Sequence, residues 1–163
     1  MDAVEYYNTI KDSYDALYSM EQEGKIDYFI SIIKPKHRHL ILDIGAGSGI
    51  LESRLKKNRI IALEPSKLID EFAKKKPKNV TIVRKRIFDF HTTKKFDIIF
   101  CVTVLQDMKI DERQGAIDAM FKMCKKGGRI VISVLDESSI DLSNLNPEKT
   151  GSIENDRFYI FQN

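Results

Sequence analysis

The most constraining feature of this chain is an apolar run that stops at an acid and passes straight into three alternating glycines, Leu40-Ile-Leu-Asp-Ile-Gly-Ala-Gly-Ser-Gly-Ile50. It reads as a strand that ends in a ligand-binding turn and feeds a helix. Gly45, Gly47 and Gly49 carry no Cβ and tolerate positive φ, so the backbone there can approach a bound molecule closely and present N–H groups to it. One glycine is enough for a tight strand-to-helix turn. Glycine at three alternate places behind an acid points to a ligand.

The spacing narrows the ligand. A dinucleotide fingerprint needs glycine or alanine at its sixth place so that helix and strand pack closely, and here that place is Ile50. The pattern is instead Asp-x-Gly-x-Gly-x-Gly beginning at Asp43, and a second acid, Glu64, closes the next apolar run, Ile60-Ile-Ala-Leu-Glu64. A carboxylate about 20 residues past such a turn, at the tip of the neighbouring parallel strand, can accept hydrogen bonds from both hydroxyls of a ribose. Taken alone, Glu64 is equally an ordinary strand-end acid before a helix start at Pro65-Ser66; beside the glycine loop it reads as a nucleoside contact.

On these residues the chain resembles the class I S-adenosylmethionine-dependent methyltransferases, over roughly residues 40–134. Leu42-Asp-Ile-Gly-Ala-Gly-Ser-Gly49 is similar to that family's first motif and Ala62-Leu-Glu-Pro-Ser66 to its ribose-binding strand end. Phe96-Asp-Ile-Ile-Phe-Cys-Val-Thr-Val-Leu-Gln106 resembles the fourth strand with its substrate-facing loop, and Lys126-Gly-Gly-Arg-Ile-Val-Ile-Ser133 the fifth strand. The resemblance implies an α/β fold, Rossmann-like and doubly wound, with a mostly parallel sheet and helices on both faces. It implies S-adenosylmethionine as cofactor, its methionine end held by backbone groups of Gly45, Ala46 and Gly47 and the carbonyl near Cys101, with Asp43 at the strand end. Glu64, followed by Pro65, would hold the ribose.

Composition bounds this reading. With 163 residues the chain suits one domain with a real core and has no room for a separate substrate domain. We divide it into an N-terminal helical lid region (1–35), a cofactor-binding core (38–134) and a short C-terminal extension (135–163). A net charge of +3 makes no strong case for nucleic acid. No apolar stretch approaches the ~18 residues of a membrane span, and the N-terminus is polar and tyrosine-rich, which leads us to expect a soluble, cytoplasmic protein. The two cysteines, Cys101 and Cys124, read as reduced core residues, and no metal-ligand spacing is present.

Apolar periodicity predicts strands at 40–44, 59–63, 80–83, 96–101 and 129–134, alternating with helices from about Ile50, Ser66 and Asp111. Two helical regions precede them, one with Tyr7, Ile10, Tyr14 and Leu17 on a face, the other with Ile26, Phe29, Ile30 and Ile33, stopped at Pro35. The last core helix places Ile117, Met120, Phe121 and Cys124 on one face, with Asp111 and Gln114 as a capping box. After Val134 only Arg157-Phe-Tyr-Ile-Phe161 reads as a strand, so we expect a sheet shortened at its C-terminal edge. In a doubly wound sheet, ligands sit beyond the carboxyl ends of the strands, where Asp43, Glu64, the segment after Val83 and the loop after Phe100 all fall.

The chain departs from the family after the third strand. Where an acid usually accepts from the adenine amino group, the sequence reads Val83-Arg-Lys-Arg-Ile-Phe-Asp-Phe90, with Arg86 in that place and Asp89 three residues on. Either Asp89 reaches the adenine through a shifted loop or backbone groups near Ile87 read it; Asp89 as a solvated loop acid is the plainer account. Methyl transfer from a sulfonium needs positioning and desolvation rather than a covalent or metal step. Thr103, Gln106 and Asp107 lie where an acceptor would enter, and Asp107 is the candidate general base, although an exposed helix-leading acid has the same pattern. Cys101 follows a strand directly and reads as packing, not as a nucleophile.

Residues 6–18 form the lid in this reading, with Tyr14 near the cofactor; packing of an amphipathic helix on the sheet edge is the simpler alternative. Basic clusters at 34–38, 74–78, 84–86 and 94–95 are scattered among acids and read as solvated charge. The leading function is methyl transfer to a small-molecule, protein or RNA acceptor. The alternatives are a catalytically idle methyltransferase-fold subunit serving a protein partner and a nicotinamide-binding oxidoreductase, the latter opposed by Ile50.

Overall fold

The computed structural model describes residues 1–163. Five parallel strands form, four of them close to the apolar runs, β1 (Leu40–Ile44), β2 (Arg59–Leu63), β3 (Val80–Val83) and β4 (Phe96–Val102), and a fifth, β5 (Cys124–Leu135), that begins five residues before its expected start at Arg129. Helices α1 (Ala3–Ile33), α2 (Ile50–Arg54), α3 (Asp70–Lys75) and α4 (Ile110–Met123) surround them. Alternate residues of each strand face opposite sides, so one sheet builds two cores. Leu42, Ile99, Ile130 and Ile132 pack with Ala116, Ile117 and Met120 of α4. Ile41, Ile98, Phe100 and Val131 pack on the other face with Ile26, Phe29 and Ile33 of α1, Leu51 of α2 and Phe72 of α3.

The sheet order is β3-β2-β1-β4-β5-β7-β6, where β6 is Lys149–Ile153 and β7 is Asp156–Gln162. The doubly wound, mostly parallel α/β architecture matches the expectation; the shortened edge does not. Both closing strands are present, β7 antiparallel to β5 and β6 antiparallel to β7. The sequence concealed β6, Lys-Thr-Gly-Ser-Ile, because an outer strand that is exposed along Lys149 to Ser152 needs no apolar alternation.

A second correction concerns α1, which is one continuous helix through Gly24 rather than two. The glycine interrupts the apolar pattern, yet a Cβ there would stand 3.1 Å from Glu154 Oε1, so the residue admits the β6–β7 turn against the helix. Leu17 is 63% exposed, so the first stretch does not bury the face its spacing suggested. A third correction is at Cys124, which opens β5 instead of continuing α4, and the cap of α4 is Glu112 accepting from the Lys109 N–H rather than an Asp111–Gln114 box.

None of the buried core residues precedes Lys25. Deletion of residues 1–19 should therefore leave a cooperative domain. The half-buried Tyr7, Ile10, Tyr14 and Tyr18 would be lost, at a cost of order 3 kcal/mol, or a melting temperature lowered by roughly 6–12 °C. Loss of the cooperative transition in a thermal melt would place this half of the helix in the core.

Candidate functional site

Strand order reverses between β1 and β4, whose outgoing connections leave to opposite faces and open a crevice at their carboxyl ends. A cavity of about 890 Å³ occupies it, within the range of about 300–1,000 Å³ usual for small-molecule sites. Its floor is the glycine loop. Gly45 adopts φ 74° and a Cβ there would lie 2.3 Å from Val104 Cγ2, so the loop after β4 seats directly on this glycine. At Gly47, φ 56°, a Cβ would meet only the Tyr14 hydroxyl at 3.8 Å, and that open side is the cavity.

Glu64, at the tip of β2, is buried and binds back to the loop. Its Oε2 accepts the Gly47 N–H at 2.8 Å and its Oε1 accepts the Ser66 N–H at 2.8 Å. Each carboxylate oxygen retains acceptor capacity toward the cavity. Burial raises the Glu64 carboxyl while the Ser66 and Gly47 contacts pull it down, leaving it above its ordinary value.

Beneath the loop lie two further acids. Asp43 is 4% exposed and Glu52, on α2, fully buried. Neither oxygen of Glu52 has a hydrogen-bond partner, and the Asp43 carboxyl is near enough for the two acids to act on one another. Burial first, then mutual repulsion and Glu64, holds Asp43 well above the carboxylate range; burial lifts Glu52 to about 7. Glu52 escaped the sequence reading, although an acid between Leu51 and Leu55 in a helix whose apolar face packs on the sheet was a visible signal.

The cavity lining brings together Asp43, Gly45, Ala46, Gly47, Glu64, Pro65, Arg86, Ile87, Tyr14, Thr103, Gln106 and Asp107. Two expected residues stay outside it. Asp89 ends a 3-10 turn, Ile87–Asp89, that buries Ile87 and leaves the acid exposed, so of the two adenine routes only the one near Ile87 faces the cavity. Cys101 lies within β4, fully buried in the core, its thiol pushed up to about 12 by burial and by Asp43 and Asp107. Arg86 reaches Asp2 at 2.6 Å, fastening the start of α1.

The first half of α1 lies over the cavity mouth. Tyr6, Tyr7, Tyr14 and Tyr18 line it, with successive ring contacts at 5.3 Å, 5.9 Å and 5.4 Å. The Tyr7 hydroxyl donates to Asp107 Oδ2 at 2.8 Å. Surrounding protein raises the Asp107 carboxyl, while Tyr7 and Arg113 counteract it. Burial and the neighbouring carboxylates raise both Tyr7, beside Asp107, and Tyr14, which faces Glu64, so each keeps its proton.

Residues 42–132, more than half the chain, match the profile of the methyltransferase domain family, and the chain belongs to that family. It is of the class I, S-adenosylmethionine-dependent type that its motifs resembled. A curated relative, an uncharacterized methyltransferase of Alkaliphilus oremlandii, is 27% identical over 139 residues; the match covers 84% of this chain and 63% of that protein's length. Among solved structures, a magnesium protoporphyrin IX methyltransferase from Synechocystis PCC 6803 with bound SAM superposes with a TM-score of 0.79 at 16% identity, covering 96% of this chain and 93% of that one. The N-methyltransferase NodS from Bradyrhizobium japonicum WM9 gives 0.71 at 17% identity, covering 92% and 98%. These likenesses are of fold.

The Asp43–Glu52 pair makes stability depend on pH. An acid whose pKa is raised on folding holds its proton more tightly in the folded state, so its contribution is present below the ordinary carboxylate range and is lost as pH rises through about 7. Thermal melts between about pH 5 and pH 8 should show the wild type losing about 1–3 kcal/mol relative to Glu52→Gln, which cannot titrate. Parallel curves for the two proteins would show that folding does not raise the Glu52 carboxyl.

Proposed function

We propose that this chain is an active methyltransferase that binds S-adenosylmethionine on the glycine loop and methylates a small molecule held beneath α1. The observation that carries the reading is one continuous cavity bounded by Gly45, Gly47 and Glu64 on the floor and by tyrosines of α1 above. The residues suit the cofactor: Glu64 has acceptor capacity left for two hydroxyls, and no side chain of the loop itself stands between Gly47 and the cavity. Ile87 and Phe88 offer apolar surface for a flat base. Seven acids, Asp2, Glu21, Asp43, Glu64, Asp107, Glu112 and Glu137, line the cavity against three bases, Lys85, Arg86 and Lys109, and the balance favours a ligand with positive charge.

When bound, S-adenosylmethionine supplies a methyl group already activated on a sulfonium. The chain's work is then to orient, desolvate and remove a proton. The seating of Val104 on Gly45 fixes the floor. The tyrosines of α1 keep water from the reacting centre. Asp107, at the mouth and oriented by Tyr7, is placed to take the proton that an acceptor hydroxyl or amine gives up.

The lid reading rests on how α1 is held. Its buried residues, Lys25, Ile26, Phe29 and Ile33, all lie in the second half. The first half is fastened by Asp2–Arg86, Tyr7–Asp107 and the Lys67 N–H to Asn8 at 2.7 Å, all at the surface. Such contacts contribute about 0–1 kcal/mol each, which suits a segment that opens for ligand exchange.

Isothermal calorimetry should show binding of S-adenosylhomocysteine and none of NAD at comparable concentration; the reverse result would overturn the cofactor assignment. Glu64→Ala should weaken S-adenosylhomocysteine binding by about 1.5–3 kcal/mol in a protein that still melts cooperatively. Unchanged affinity would mean that the ribose is held elsewhere. A screen of small amines and phenols with labelled donor, run on wild type and Asp107→Asn, tests the acceptor class. The variant should keep S-adenosylhomocysteine affinity and lose about 100-fold or more in turnover.

A further inference from the structure

A buried cluster of polar side chains just behind the cavity takes no part in the chemistry above. Lys25 on α1, Ser133 on β5 and Asp156 at the start of β7 are all fully buried, and none lines the cavity. They converge on Thr103, which does line it. Lys25 Nζ donates to Asp156 Oδ1 at 2.8 Å and to Thr103 Oγ1 at 3.2 Å, and it forms an ion pair with Glu21 Oε1 at 2.5 Å. Asp156 Oδ2 accepts from the Thr103 hydroxyl at 2.7 Å and from the Ser133 hydroxyl at 2.6 Å. The Thr103 N–H reaches Ser133 through both its Oγ at 3.1 Å and its carbonyl at 3.0 Å.

We propose that Lys25, Ser133 and Asp156 are positioning residues for the cofactor site: they hold Thr103 in a left-handed turn that seats the loop after β4 on the glycine loop. The proposal rests on the reading that this cavity binds S-adenosylmethionine. Thr103 has φ 58°, a conformation that a β-branched residue avoids unless its surroundings impose it. The next residue shows what the turn achieves, because Val104 Cγ2 fills the notch where Gly45 would carry a Cβ, 2.3 Å away. Stability alone does not explain such a cluster, since an apolar set of similar volume commonly serves a core as well as a buried ion pair. Direction does explain it: the hydroxyl and the N–H of one residue are both fixed, by partners from three elements. Lys25 also ties α1, whose first half covers the mouth, to the same loop through Thr103.

The test is S-adenosylhomocysteine calorimetry beside thermal melts for the wild type, Thr103→Gly, Thr103→Ser and Ser133→Ala. Glycine relieves the backbone strain while deleting the hydroxyl, so Thr103→Gly should melt within a few degrees of the wild type yet bind about tenfold more weakly. Thr103→Ser keeps the hydroxyl and should bind within about twofold of the wild type, rescuing the glycine defect. Ser133→Ala, outside the cavity, should lose about threefold or more, the mark of an effect transmitted through Thr103. Wild-type affinity in Ser133→Ala overturns the proposal, whatever Thr103→Gly does, because Thr103 would then act by its own contact alone. A wild type that fails to bind S-adenosylhomocysteine at all is a different result, which removes the cofactor reading and this proposal with it.

Discussion

The pairing of β1 with β4 is the contact on which the site depends. Ile41, Leu42 and Asp43 stand beside Ile98, Ile99 and Phe100, so two strands far apart in sequence end at the same level. Their exits diverge, and a crevice is the geometric consequence. Within it the glycine loop and the loop after β4 are not independent walls. Val104 occupies the space that a side chain on Gly45 would need, so a residue larger than glycine there would push the second loop away as well as strain the first.

The distribution of buried charge is the second constraint. Asp43, Glu52 and Glu64 crowd one end of the sheet with no buried base beside them, while the one buried ammonium, Lys25, is committed to Asp156 and Glu21. Removing three carboxyl groups from water without a cation raises their affinity for protons, as all three directions show. Backbone N–H donors moderate this at Glu64, through Gly47 and Ser66. The group nearest the cavity with two such donors is the one best able to stay ionised and accept further hydrogen bonds.

Much of this was legible in the sequence, and the gaps have physical causes. β1, β2, β4 and the glycine loop announce themselves because a strand buried on both faces must be apolar throughout. β6 did not, since an exposed edge imposes no pattern. The run of α1 through Gly24 was hidden because a glycine interrupts the apolar pattern, and its neighbour there, the Glu154 side chain, comes from the far end of the chain. Lys25, like Glu52, was a readable omission. It shares a helix face with Phe29 and Ile33 at spacings of four, and a charge on an apolar stripe asks for a partner. What no local pattern could supply was the identity of that partner, because Asp156 lies more than 100 residues away, at the head of the returning strand β7.

The two halves of α1 differ in kind, and the difference follows from where solvent can enter. From Lys25 onward every turn of the helix buries at least one side chain against the sheet or the Asp156 network. Before Glu21 the helix meets the body through half-buried side chains such as Ile10 and the tyrosines and through surface polar contacts, with Leu17 and Met20 left 63% and 89% exposed. A helix that is well packed at one end and weakly held at the other opens locally by releasing the weak end while the core stays intact. The boundary falls at the Glu21–Lys25 pair, whose lysine also reaches Thr103. Motion of the cover and the shape of the floor therefore meet at one buried ammonium, and a segment so joined cannot lift past that point without breaking the network that fixes the loop after β4.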